Sequence, residues 1–139
     1  MKYGANLVNV DGRLDVVMTK EDRSNSVEIA AGKGGFGSSI SGGEVLFLAV
    51  ATCYCNDIYR EARKFGITVD NVEVDVDGDF GGPGEPASNV NCRIKVTAKA
   101  SEDEIHKLVE HTDKIAEIPM SLRNGTAITL NEIIPISSK

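Results

Sequence analysis

Seven consecutive residues, Val45 to Ala51, carry no polar side chain, and they lie in a stretch marked as a helix at both ends. Ser41 followed by Glu44 forms a capping box, whose hydroxyl and carboxylate satisfy backbone donors that a helix start leaves over. Gly66 supplies the left-handed residue that closes such a helix, so the spacing predicts a helix over about 42–65. A helix that is apolar on every side must be enclosed by protein. At 139 residues the chain has the size of a single domain, expected over 1–139. Two sheets or two subunits are needed to surround the helix, and an obligate homodimer is the expectation.

The flanking segments read as β structure. Tyr3 to Val10, the turn dipeptide Asp11-Gly12, and Arg13 to Met18 predict a hairpin, with a third strand over Ser26 to Ala30. Gly32 to Gly43 holds six glycines and three serines, a composition that suits a loop. Asn71 to Gly78 and Asn89 to Ala98 alternate apolar with polar residues, as strands with one dry face do. The breakers between them, Asp79 to Ser88, make a long hairpin loop. Ser101 and Glu104 repeat the capping box, and Ile105, Leu108, Val109, Thr112 and Ile115 then share a helical face until Pro119 stops it. After the Asn124-Gly125 turn, Ala127 to Ile133 reads as a last strand. Strands, helix, strands, helix, strand, with hairpins between, predicts an α+β fold of antiparallel sheets and argues against a doubly wound parallel one.

The net charge of −6 opposes binding to a phosphate backbone, so nucleic acid is not an expected partner. No apolar run approaches the roughly 20 residues that a bilayer requires, and the first residues lack the apolar core of a secretory signal. A cytoplasmic, membrane-free protein is expected. Three cysteines, an odd number, point to free thiols in place of a disulfide framework.

At about 100° per residue, Cys53 and Cys55 face nearly opposite sides of the helix. Cys55 shares its side with Leu48, Ala51 and Ala62 and reads as packing, as does Cys92 in the dry register of its strand. Cys53 lies in line with Ala49, Asp57 and Arg60, and convergence with Arg60 would lower its pKa. Gly32 to Gly37 matches G-x-G-x-x-G, but the helix begins several residues too late for a pyrophosphate cradle, so a flexible loop is expected and no cofactor. Cys53-x-Cys55 with His106 and His111 has the donor types of a zinc site. The cysteines diverge and the histidines share no face, so no metal is expected. The charges of Glu102, Asp103, Glu110 and Lys114 read as a solvated helix surface.

Ser41-Gly-Gly-Glu-Val-Leu-Phe-Leu-Ala-Val-Ala-Thr-Cys53 resembles the signature helix of the OsmC/Ohr superfamily, and Ala116-Glu-Ile-Pro-Met-Ser121 resembles its second motif, Gly-Cys-Pro-Val-Ser. The resemblance implies a two-layer fold, with antiparallel sheets around a central buried helix, in an intertwined homodimer. It also implies a thiol peroxidase cycle in which Cys53 attacks an organic hydroperoxide and becomes a sulfenic acid. Two departures stand out. Ile118 occupies the place of the resolving cysteine, which leaves reduction to an external thiol. Glu44 sits one place after the family's arginine-orienting glutamate and reads as a cap. The activating arginine is implied to come from the N-terminal strands, with Arg13 and Arg23 both candidates. The expected function is therefore a peroxidase acting through Cys53, with Arg13 as cationic partner. The alternative is a non-catalytic homodimer that keeps a pocket for a small apolar or thiol-bearing ligand.

Overall fold

Asp11 and Gly12 both take positive φ, 54° and 74°, the backbone of a tight hairpin turn that joins β1 (Tyr3–Val10) to β2 (Arg13–Lys20). A computed structural model describes residues 1–138 of the chain. The third strand, β3, is Arg23–Ser26 and not the 26–30 segment that β propensity favours. Glu21, at φ 54°, opens a two-residue turn, so Lys20 pairs directly with Arg23. Turn geometry overrides the poor strand-forming tendency of Arg, Ser and Asn. The three strands form one antiparallel sheet in the order β1-β2-β3.

The glycine-rich loop is held in place. Asn9 donates from Nδ2 to the carbonyls of Arg13 and Gly35, at 2.9 and 3.0 Å, and accepts the Gly37 N–H at 2.9 Å. Gly35 approaches the turn so closely that a Cβ there would lie 2.6 Å from the Gly12 Cα, at a φ of 87° that favours glycine. These residues, with the start of α1 (Gly42–Lys64), belong to a first compact unit, Met1–Leu48.

A second unit runs from Ala49 onward. Helix α1 ends as the sequence signals. Gly66 takes φ 69°, its N–H bonds the Arg63 carbonyl, and Ile67 N–H returns to Ala62 at 2.9 Å. Strands β4 (Val69–Asp79) and β5 (Ser88–Ala98) form a two-stranded antiparallel sheet. Helix α2 (Glu102–Ile115) starts at Ser101, whose hydroxyl accepts the Glu104 N–H. Helix α3 (Glu117–Arg123) follows at once, and Pro119 sits in its first turn, where a missing N–H is tolerated.

The core is a stripe on α1 at three- and four-residue spacing. Val50 and Tyr54 pack with Ala116, Val74, Val76 and Ile94. Ile58 and Ala62 pack with Leu108, Val72 and Val96. The predicted face alternation of β4 and β5 supplies the apolar half of both clusters. Along the apolar run at the start of α1, Val50 is buried and Leu48 is 62% exposed. No strand forms over 127–133, where one was expected. Neither sheet offers that segment a hydrogen-bonded neighbour, and Ile128 is 97% exposed. Among the described residues no helix is long and apolar enough to cross a membrane.

Buried Glu61 links α1 to α2. His111 Nε2 lies 2.8 Å from its carboxylate, with Lys64 and Arg60 each at 2.9 Å. Hydrogen bonds from His111, then Lys64 and Arg60, hold its carboxyl down to about 2. Since the unfolded-state carboxyl titrates higher, Glu61 contributes stability above the ordinary carboxylate range, and that stability is lost as pH falls toward the folded value. Thermal unfolding of Glu61→Gln is expected to lie below wild type near about pH 6, and the gap is expected to narrow as pH falls below the ordinary carboxylate range and to close only near about pH 2. A difference independent of pH would contradict this.

Candidate functional site

Cys53 and Asp57 stand one turn apart on α1, beside the turn where α2 gives way to α3. That turn is centred on Ala116, which is fully buried in the core and has extended backbone, φ −70° and ψ 115°. Alanine fits because a larger side chain would displace Val50 or Tyr54. The break brings Glu117 and the backbone N–H of Ile118 to the Cys53 sulfur. Cys53 Sγ lies 3.6 Å from Asp57 Oδ2 and 3.8 Å from Glu117 Oε2.

The electrostatics oppose a thiolate. Burial pushes the Cys53 thiol up, the Ile118 N–H offsets part of this, and the charges of Asp57 and Glu117 raise it further. Asp57 is also raised, by burial first, against the pull of Arg60 and with a push from Glu117. The convergence of Arg60 with Cys53 that a shared helix face left open does not occur. Its Nη1 bonds Asp57 Oδ1 at 2.8 Å and its Nε bonds Glu61 at 2.9 Å. Two carboxylates on the same helix outbid a neutral thiol for the guanidinium.

The other predicted residues fall as follows. Cys55 is half-buried, in keeping with a packing role, whereas Cys92 is exposed and not a core residue. Its register is the dry one, opposite Val76, but it opens onto the groove between β5 and α2. Glu44 caps α1: its N–H donates to Ser41 Oγ at 3.2 Å and it accepts the Ser41 N–H at 2.5 Å, the contact that lowers its carboxyl. Arg13 pairs through Nε with Asp15 at 3.2 Å, and Arg23 begins β3. Both belong to the first unit and Cys53 to the second. His106 pairs with Glu110 and His111 with Glu61, each at 2.8 Å, so neither joins a cysteine.

Two features escaped the sequence. Glu117 occupies the glycine place of the second motif, and only its chain break shows that it meets Cys53. A groove of about 700 Å³ between β5 and α2 ends at Cys92, Tyr54, Asp113 and Arg123. Tyr54 donates to Asp113 at 2.6 Å and Arg123 does so at 2.8 Å. Burial raises Asp113, but those two bonds outweigh it and hold the carboxyl low. No local spacing announces residues so far apart in the chain.

The fold and its thiol-bearing helix define a class. An OsmC-like protein from Mycoplasma pneumoniae has the same fold, with a TM-score of 0.65 at 17% identity over 88% of each chain. An OsmC-like hydroperoxide resistance protein from Jannaschia follows at TM-score 0.53 and 16% identity, over 99% of this chain and 93% of that one. An organic hydroperoxide resistance protein OsmC from Legionella pneumophila gives 0.54 and 13%, over 88% and 90%. Residues 35–131, well over half the chain, match the OsmC family, described as OsmC-like protein, and the chain belongs to that family. A comparison with curated proteins found no match.

Replacing Glu117 with glutamine removes one of the charges that raise Cys53. Glu117→Gln is expected to alkylate faster than wild type at neutral pH, with its iodoacetamide rate profile moved to lower pH. An unchanged or slower rate would contradict the charge effect.

Proposed function

We propose that this protein is a one-cysteine thiol peroxidase of organic hydroperoxides. The observation that carries the proposal is the seating of Cys53, half-buried where the signature helix meets the segment that holds the family's second motif. Cys53 thiolate attacks the outer peroxide oxygen, the O–O bond breaks, and the alkoxide takes a proton and leaves as an alcohol. The sulfenic acid then condenses with an external thiol, releasing water and forming a mixed disulfide. A second external thiol restores Cys53 and carries away the disulfide. An external reductant is required because Ile118 stands where a resolving cysteine would be. Arg13 is the proposed cation that draws the thiol toward ionisation, since its exposed pair with Asp15 is weak enough to exchange. A homodimer is part of the proposal. Leu48, Ile128, Leu130 and Ile136 are each exposed, and a second subunit is the proposed cover for apolar side chains of this kind. The cytoplasm, with its pool of reducing thiols, is the proposed location.

One observation favours a second reading, a non-catalytic dimer that binds a small apolar or thiol-bearing ligand. Burial first, and then the charges of Asp57 and Glu117, raise the Cys53 thiol, as suits a thiol that does not attack.

Treatment with cumene hydroperoxide followed by mass spectrometry is expected to place oxidation on Cys53 ahead of Cys55 and Cys92, and added low-molecular thiol to reverse it. Equal oxidation of the three would remove the peroxidase reading and leave the binding one. Light scattering at micromolar concentration is expected to give twice the chain mass of 14.8 kDa. A stable monomer would remove the dimer.

A further inference from the structure

The geometry points to a divalent-metal site, of the kind that takes zinc, formed by Cys53, Asp57 and Glu117. Their three donor atoms lie within 4.8 Å of one another. A tetrahedral zinc ion, with a Zn–S bond of about 2.3 Å and Zn–O bonds of about 2.1 Å, requires sulfur and oxygen to be separated by ~3.6 Å. The observed separations are 3.6 Å from sulfur to Asp57 Oδ2 and 3.8 Å from sulfur to Glu117 Oε2. Two donors come from successive turns of α1 and the third from the start of α3, so the set converges from two elements around a common point.

Asp57 is the informative member. Its side chain is only 6% exposed, and Arg60 takes Oδ1, while Oδ2 is turned to the Cys53 sulfur, whose S–H is a poor donor. A buried carboxylate oxygen aimed at a thiol and a second carboxylate is an arrangement that a cation completes. The charges balance: a thiolate and two carboxylates sum to −3, Arg60 contributes +1 and the dication +2. Binding displaces the thiol proton to solvent. Sulfur excludes magnesium and calcium, which prefer all-oxygen shells, and selects a borderline-soft ion. Three protein donors leave the fourth tetrahedral position to water or a ligand, and Glu117, the exposed member, marks the side of entry. The donors are not those that the Cys-x-Cys spacing and the histidines proposed: only Cys53 is common to both sets.

The site goes beyond the hydroperoxide proposal and does not depend on it, so its test reads binding and not turnover. Cobalt(II), titrated into the reduced full-length protein without oxygen, is expected to produce a thiolate-to-cobalt charge-transfer band. The band should saturate at one ion per chain and be displaced by zinc. Cys53→Ser should abolish it, Glu117→Gln should weaken binding roughly tenfold or more, and Cys55→Ser and Cys92→Ser should leave it intact. Glu117 is exposed, so its variant tests the site without threatening the core, and circular dichroism checks that it folds. No band at saturating cobalt, or a band that survives Cys53→Ser, would overturn the site. Loss of the band with Cys53-selective peroxide oxidation intact would overturn the metal site alone.

Discussion

The packing of one stripe of α1, Val50, Tyr54, Ile58 and Ala62, against Leu108, Ala116 and the dry face of β4 and β5 fixes how that helix is rotated about its axis. Everything at the candidate site follows from that rotation. With the stripe turned inward, Cys53 and Asp57 lie along its edge and face the Ala116 turn, while Cys55 is carried around to another side. Ile58 and Leu108 are almost wholly withdrawn from water, and burial of each contributes on the order of 2 kcal/mol of transfer free energy. No contact made by the thiol itself competes with that. The site is therefore placed by the core and not by its own weak S–H bonds.

The same core explains an uncommon juxtaposition. A short break in helical structure at Ala116 carries an acidic side chain, Glu117, and a backbone donor, Ile118, to one sulfur. They act in opposite directions on its ionisation, and the acidic groups prevail together with burial. A thiol peroxidase works through a thiolate, so this chain needs a cation at Cys53 that α1 does not provide, Arg60 being committed to Asp57 and Glu61. The proposed functions differ in what supplies it: an arginine from the N-terminal strands, a metal ion held by the carboxylates, or nothing, in which case Cys53 remains a thiol in a binding site.

Much of the fold was legible in the sequence because its signals are local. Ser41 with Glu44, Ser101 with Glu104, Gly66 and Asp11-Gly12 mark ends and turns within a few residues: the first capping box closes from both sides, the second through the Ser101 hydroxyl, and the glycines take positive φ. Valine alternation likewise announced β4. The misses have non-local causes. Arg23–Ser26 is a strand because a two-residue turn lays it beside β2, in spite of its composition. Ala127 to Ile133 has strand-forming residues but no neighbour to bond. Cys92 keeps the dry register but opens onto the groove between β5 and α2. At the site, helix geometry put Asp57 in line with Cys53, whereas Glu117 arrives from across the chain and no spacing encodes it. Whether Arg60 would meet Cys53 stayed open in the sequence, because spacing shows which groups share a face and not which of them bind most strongly.

The central claim is that burial and two acidic neighbours raise the Cys53 thiol, and that a supplied cation lowers it again. Thiolate ultraviolet absorbance, followed against pH in the metal-free Cys55→Ser, Cys92→Ser protein, measures that claim on the one remaining thiol. The account predicts a midpoint above the ordinary thiol value of about 8.5, moving down on addition of zinc. A midpoint below the ordinary value in the absence of metal would contradict it.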